Sequence, residues 1–138
     1  MCVKNVIVSV IIPLFNEERH ISNLIASLVQ QTYSIENMEW IFVDGNSNDR
    51  TASIVENFAL EGKYPIILLH NQKRKTPYAL NMAIEKAKGK YIIRLDAHSY
   101  YYSDYIEKCV YYLETMDIDN VGGIAETDAI GFKGQAIA

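Results

Sequence analysis

The sequence predicts an α/β protein: a Rossmann-like half with a mainly parallel sheet and helices on both faces. Short β-branched runs alternate with helical-period stretches up to about residue 124, the pattern of successive βαβ units. The first run, Val6–Ile12 (VIVSVII), is apolar at both parities, as a strand covered on two faces must be. A chain of 138 residues, 49% hydrophobic and 22% charged, is one ordinary globular domain or slightly less.

The elements follow in order. A helix from about Glu17 to Gln31 carries Ile21, Leu24, Ile25 and Leu28 on one stripe. The second strand is Glu39–Val43 (EWIFV), ending on Asp44, and a helix over Arg50–Leu60 turns Ile54, Val55 and Phe58 inward. Pro65–Leu69 is the third strand. In the third helix Thr76 is the expected cap, Pro77 the first helical residue and Gly89 the stop. Its buried stripe is read as Leu80, Ala83, Ile84 and Ala87. Strand Tyr91–Leu95 then leads into Asp96-Ala97-His98. A helix from Ser103 faces Ile106, Val110 and Leu113 inward, and a fifth strand is expected over Asn120–Ile124. From Glu126 to Ala138 no closing element is legible. The expectation is that residues 1–138 are the N-terminal part of a larger domain, cut before its second half.

Thirteen Lys and Arg against seventeen Asp and Glu give a net charge of −4. No basic excess exists to hold a phosphate backbone, which argues against nucleic acid as a partner. Cys2 and Cys109 form no disulfide framework and no metal-type spacing. They read as small apolar side chains in a reducing compartment. The apolar run Val6–Phe15 is too short to span a membrane and carries no signal-peptide pattern.

Ligands of open α/β sheets bind outside the carboxyl ends of the strands. Four polar segments fall there: Pro13-Leu14-Phe15-Asn16-Glu17, Asp44 to Thr51, Asn71 to Lys75, and Asp96-Ala97-His98. The first has neither a G-x-G-x-x-G turn nor a phosphate loop, which removes the dinucleotide reading. Phe15 could stack on a base or simply pack. Glu17 could line a site, or serve as a first-turn helix acid. Asp44, at a strand tip, could accept a base N–H or cap the next helix; Asp49 reads as that cap. Asp44, Asn46 and Asn48 match the start of a calcium loop, but Asp49 stands where glycine is needed and Val55 where glutamate is needed. That reading is excluded. Lys73, Arg74 and Lys75 precede a helix N-terminus, a plausible anion site, with Asn81 one turn inside. Asp96 and His98, two residues apart, would share one side of a strand-like segment. Carboxylate plus imidazole suits Mn²⁺ or Mg²⁺. Arg94 would pair with Asp96 or with a ligand phosphate.

Taken together, VSVIIPLFNEERHISNLIASLVQQ, WIFVDGNSNDRTASIVENF and ALNMAIEKAKGKYIIRLDAHS resemble the family 2 glycosyltransferases of the GT-A fold. The DAHS form, the tyrosines after it and VGGIAET look closest to succinoglycan-type polysaccharide transferases. The resemblance implies transfer of a sugar, with inversion, from a nucleotide-diphosphate donor, typically UDP-linked, to a saccharide or lipid-linked acceptor. It also implies a divalent metal, Mn²⁺ or Mg²⁺. Pro13, Phe15 and Glu17 then match the first nucleotide-contacting segment, Asp44 with Asn46 the base-reading loop, and Lys73 or Arg74 a basic contact. Asp96 matches the first acid of the Asp-x-Asp motif, and His98 replaces the second. The general base would lie in an acceptor-binding half beyond this chain, and none is named. The protein would work in the cytoplasm at the inner face of a membrane, with any membrane association supplied by the missing C-terminal region. The rival is a non-catalytic nucleotide-binding α/β module. A phosphoryl-transfer site on Asp44 would want an acid at position 46, where Asn46 stands. A nucleotidyltransferase would show a Gly-rich, Arg-containing turn after the first strand.

Overall fold

The computed structural model describes residues 5–128 and 131–137, with side chains through residue 122. Strands β1 (Val8–Leu14), β2 (Met38–Asp44), β3 (Ile66–His70) and β4 (Tyr91–Arg94) form one parallel sheet in the order β3-β2-β1-β4. Helices α1 (Ile21–Val29) and α2 (Thr51–Leu60) carry the chain outward from β1 to β3. Helix α3 (Thr76–Lys86) returns it across the sheet to β4, on the other side of β1. Right-handed crossovers in opposite directions put the helices on opposite faces.

The packing agrees with that connectivity. Val8, Val10 and Ile12 of β1, with Trp40 and Phe42 of β2, pack against Ile21, Leu24, Ile25 and Leu28 of α1 and Val55 of α2. Helix α4 (Tyr105–Thr115) adds Ile106, Cys109 and Val110 to the same core. On the opposite face Ile11, Ile41 and Val43 meet Ala79 and Ala83 of α3. Consecutive strand residues point to opposite faces, so a strand covered twice buries both parities; all of β2 is buried.

Several expectations change. The buried stripe of α3 centres on Ala79 and Ala83, flanked by Leu80, Met82 and Ala87, while Ile84 is 48% exposed. Two alanines let α3 lie close to the sheet, which turns Ile84 outward. Thr76 makes no capping bond; the N-cap is Lys75, with extended backbone. The helix stops at Lys86, so Gly89 is not its terminator. A Cβ at Gly89 would lie 2.6 Å from the backbone N of Ser9; the glycine is there for close approach, not for helix termination.

The C-terminal segment also differs from expectation. β6 (Gly122–Asp128) and β7 (Gly131–Ile137) pair antiparallel, and the short β5 (Ser99–Tyr101) pairs parallel with β7. The strand expected at Asn120–Ile124 thus starts later and lies in this second sheet. Among the described residues no helix is long and apolar enough to cross a membrane.

Candidate functional site

Strand order reverses between β1 and β4, and there a cleft opens over the strand tips. Pro13, Leu14, Phe15 and Glu17 form one wall, Arg94, Asp96, Ala97 and His98 another, and Gly45, Asn71, Arg74, Thr76 and Ala79 the rest. Of the residues singled out from the sequence, Pro13, Phe15, Glu17, Arg74, Asp96 and His98 therefore meet in one place. Phe15 is 42% exposed, and the Arg74 guanidinium sits 5.6 Å from its ring centroid, within cation–π range.

Asp44 and Asn46 stand beside that cleft without lining it. Asp44 is buried and accepts from the Ser47 hydroxyl at 2.6 Å and the Ser47 N–H at 3.1 Å. Asn46 is exposed, with φ of 62°. Lys73 and Asn81 line an adjoining groove with Tyr78 and Glu85, and the Lys73 ammonium lies 4.3 Å from the Tyr78 ring centroid. Asn71 borders both spaces.

A clasp between two loops fixes the first wall. Asn16 donates its N–H to the Ser47 hydroxyl, and its side-chain oxygen accepts from the Asn48 N–H at 2.8 Å. Glu17 donates its N–H to the Thr51 hydroxyl at 2.8 Å, while Glu18 accepts from the Arg50 N–H. Asp49 accepts from the Thr51 N–H and hydroxyl and from the Glu18 N–H, but it stands one residue before the N-cap of α2, which is Arg50 and not Asp49 as expected. Burial works against its charge, but the bonds from Thr51 and Glu18 outweigh that and hold its carboxyl below the usual range. Asn16, Asn46 and Arg74, all non-glycine, adopt positive φ. Such conformations cost energy and collect at ligand-binding edges.

The opposite wall is a turn, not the strand-like segment expected of Asp96-Ala97-His98. The Asp96 N–H donates to the Tyr101 hydroxyl at 2.9 Å, and the Tyr101 ring packs on Tyr105 at 5.0 Å. Burial raises the Tyr101 phenol above its ordinary pKa. The buried Gln31 reaches from the end of α1 to the Tyr102 carbonyl and the Ile106 N–H. Sequence reasoning misses both Tyr101 and Gln31; the signal for Gln31 is its place three residues past Leu28, just beyond the end of α1. Asp96 pairs with Arg94 at 3.4 Å, and His98 Nδ1 lies 3.4 Å from Glu17 Oε1.

Among the described residues no group of three or more His, Cys, Asp or Glu could hold a metal ion. The Glu17 carboxylate on one wall faces the Asp96 carboxylate and the His98 imidazole on the other.

The family model for glycosyl transferase family 2 matches residues 9–133. The succinoglycan biosynthesis protein ExoA of Rhizobium meliloti is 33% identical over 126 residues, covering 90% of this chain and 37% of that protein. The crystal structure of S. aureus TarS 1-349 in complex with UDP-GlcNAc matches with TM-score 0.66 and 25% identity, over 78% of this chain and 31% of that one. The mannosyltransferase PcManGT from Pyrobaculum calidifontis, in complex with GDP-Man and Mn²⁺, matches with TM-score 0.71 and 24% identity, over 87% of this chain and 35% of that one. The chain spans about a third of the length of the curated relatives it matches. With a motif-bearing loop at each strand tip and the family match running through all four, this chain belongs to glycosyltransferase family 2.

Proposed function

We propose that residues 1–138 are the donor-binding part of a metal-dependent, inverting glycosyltransferase. It takes a UDP-linked sugar and serves polysaccharide synthesis on a saccharide or lipid-linked acceptor. The observation that carries the reading is the convergence of Phe15, Arg74, Glu17, Asp96 and His98 on one cleft at the strand-order reversal. The GDP-Man and UDP-GlcNAc complexes of the two structural relatives support a nucleotide-sugar donor.

In this reading the base lies on Phe15, with the Arg74 guanidinium over the ring. Ser47 keeps the Asp44 carboxylate oriented at the tip of β2 for a base N–H. Of the two candidate cations Arg74 is the one in the cleft, and it takes the basic contact; Lys73 and Asn81 flank it in the next groove. Asp96 and His98 hold the divalent ion, Mn²⁺ or Mg²⁺. When bound, that ion offsets the repulsion between an anionic donor and a chain of net charge −4 and stabilises the departing diphosphate. Arg94, paired directly with Asp96 at 3.4 Å but half exposed, can swing to a phosphate. An acceptor hydroxyl then displaces the diphosphate at the anomeric carbon, needing a general base on the far side of the sugar; no residue of this chain is assigned that role. The work is placed in the cytoplasm, at the inner face of a membrane.

The test is calorimetric titration with UDP and with GDP, each with and without Mn²⁺, on wild type and Asp96→Ala. The expected result is UDP binding tightened by Mn²⁺ in the wild type and indifferent to it in the variant. Metal-indifferent binding in both proteins would instead favour a non-catalytic nucleotide-binding module, and a preference for GDP would reassign the base.

A further inference from the structure

The groove beside the donor cleft has no ligand in the roles above. One of its banks is a stripe of α3: Tyr78, Asn81, Met82 and Glu85 line it at i, i+3, i+4 and i+7, a single helix face. At 1.5 Å per residue that stripe runs for about 10 Å. His70 and Lys73, from the end of β3 and the loop after it, form the other bank. The groove encloses about 390 Å³, inside the range of small-molecule sites, roughly 300–1,000 Å³. Buried Asn71 borders both groove and cleft, so the two spaces share a boundary.

The lining narrows the ligand. Lys73 and Glu85 cancel in formal charge, so the groove favours neither an anion nor a cation. Among the described residues, the side chains of His70, Asn81 and Glu85 make no hydrogen bond or ion pair. The polar groups of the loop clasp, by contrast, are spent on one another. Tyr78 is 43% exposed, and its ring with Met82 gives the groove an apolar surface. An aromatic face flanked by unspent donors and acceptors, with no net charge, matches a sugar ring. The C–H face of the sugar packs on the aromatic ring while its hydroxyls reach the polar groups at either side.

We propose that this groove binds a neutral stretch of the saccharide chain on which the transferase works, clear of the reacting end. The identity of that chain rests on the functional reading above. Tyr78 supplies the stacking surface, steadied by the Lys73 ammonium 4.3 Å from its centroid. Asn81 and Glu85 bond hydroxyls from the helix bank and His70 from the strand bank.

The test is an NMR titration of the 138-residue chain with three neutral probes, cellotriose, maltotriose and triacetylchitotriose, and with trigalacturonate as a charged comparator. At least one neutral trisaccharide should shift the backbone amides of Tyr78, Asn81 and Glu85 and saturate in the millimolar range, and trigalacturonate should bind more weakly. Tyr78→Ala should weaken the trisaccharide about tenfold, whereas Tyr78→Phe, which keeps the ring, should stay within about threefold of wild type. Asn81→Ala and Glu85→Ala, both at exposed positions, should each weaken it several-fold. UDP affinity should be the same in Tyr78→Ala as in wild type. Three neutral trisaccharides that leave the α3 stripe unmoved up to their solubility limits would overturn the inference. So would shifts confined to Phe15 and His98, or displacement of the trisaccharide by UDP, either of which puts the sugar in the cleft. Tighter binding of trigalacturonate would overturn the neutral class. A chain that binds a trisaccharide on α3 but no UDP overturns the functional reading and leaves the groove standing.

Discussion

The two ends of the parallel sheet both carry carboxylates, and they treat them in opposite ways. At the amino end, Glu39 is 5% exposed and accepts from the Ser9 hydroxyl and the Lys88 N–H, each at 2.6 Å. Ser9 in turn accepts from the Gly89 N–H at 2.8 Å. The network is closed and locks the start of β4 against β1 and β2. At the carboxyl end, Asp96 and His98 are about half exposed and meet their partners only at 3.4 Å. Three other loops at that end adopt positive φ, at Asn16, Asn46 and Arg74. A buried carboxylate with short bonds to fixed donors is architecture; open carboxylates with long, replaceable partners are available to a ligand.

The largest break in that contrast comes from the amino end. Glu39→Ala strands the Lys88 N–H and the Ser9 hydroxyl and should cost about 3 kcal/mol, lowering Tm by roughly 10 °C. Thermal unfolding measures this, and UDP affinity per folded molecule should be unaltered. Arg74→Gly should do the reverse. Relief of a left-handed non-glycine residue should add about 1 kcal/mol of stability, while loss of the cation over Phe15 should weaken UDP binding about tenfold. A fall in both would mean that the Arg74 contact to Asn48, at 3.3 Å, holds the loop together.

Smaller effects sharpen the comparison. Asp49→Ala should cost about 1 kcal/mol at neutral pH, through loss of the hydrogen bonds it accepts from Thr51 and Glu18. Because the folded Asp49 carboxyl is held below its ordinary pKa of 3.8, its contribution is present above that value and disappears as pH falls through the folded pKa. Wild type and variant should thus converge on acid titration. Cys109 is the weakest lever. Burial pushes its thiol up to about 11 against the Tyr105 hydrogen bond, which works the other way. A raised folded pKa leaves stability intact below the ordinary 9.0 and erodes it as pH climbs from there through about 11. At pH 8 the native chain should therefore resist alkylation at Cys109, as peptide mapping would show.

The parallel sheet was legible because β-branched runs such as VIVSVII admit few other readings, and β1 to β4 fall within two residues of expectation. Ile84 was misplaced because two alanines, not the larger side chains, set the approach of α3 to the sheet. Gly89 looked like a helix stop because its real constraint, the backbone of Ser9, is eighty residues away in sequence. β7 escaped notice because Gly131 and Gly134 leave no alternating pattern to read. In the site, motif residues at strand tips were found readily, since connectivity alone brings those tips together. Which of them reach the cleft was not, because the inward turn of Arg74 and the outward placement of Lys73 depend on one backbone angle at residue 74.

The cleft over the strand tips, where the order reverses between β1 and β4, has a consequence for how such a molecule can diversify. It exists because the chain changes direction across the sheet, not because side chains were whittled away to make room. A vacancy of that origin outlasts any rewriting of its rim. A lineage built on this scaffold can therefore trade one ligand for another by exchanging a few loop residues, leaving the interior that folds it untouched.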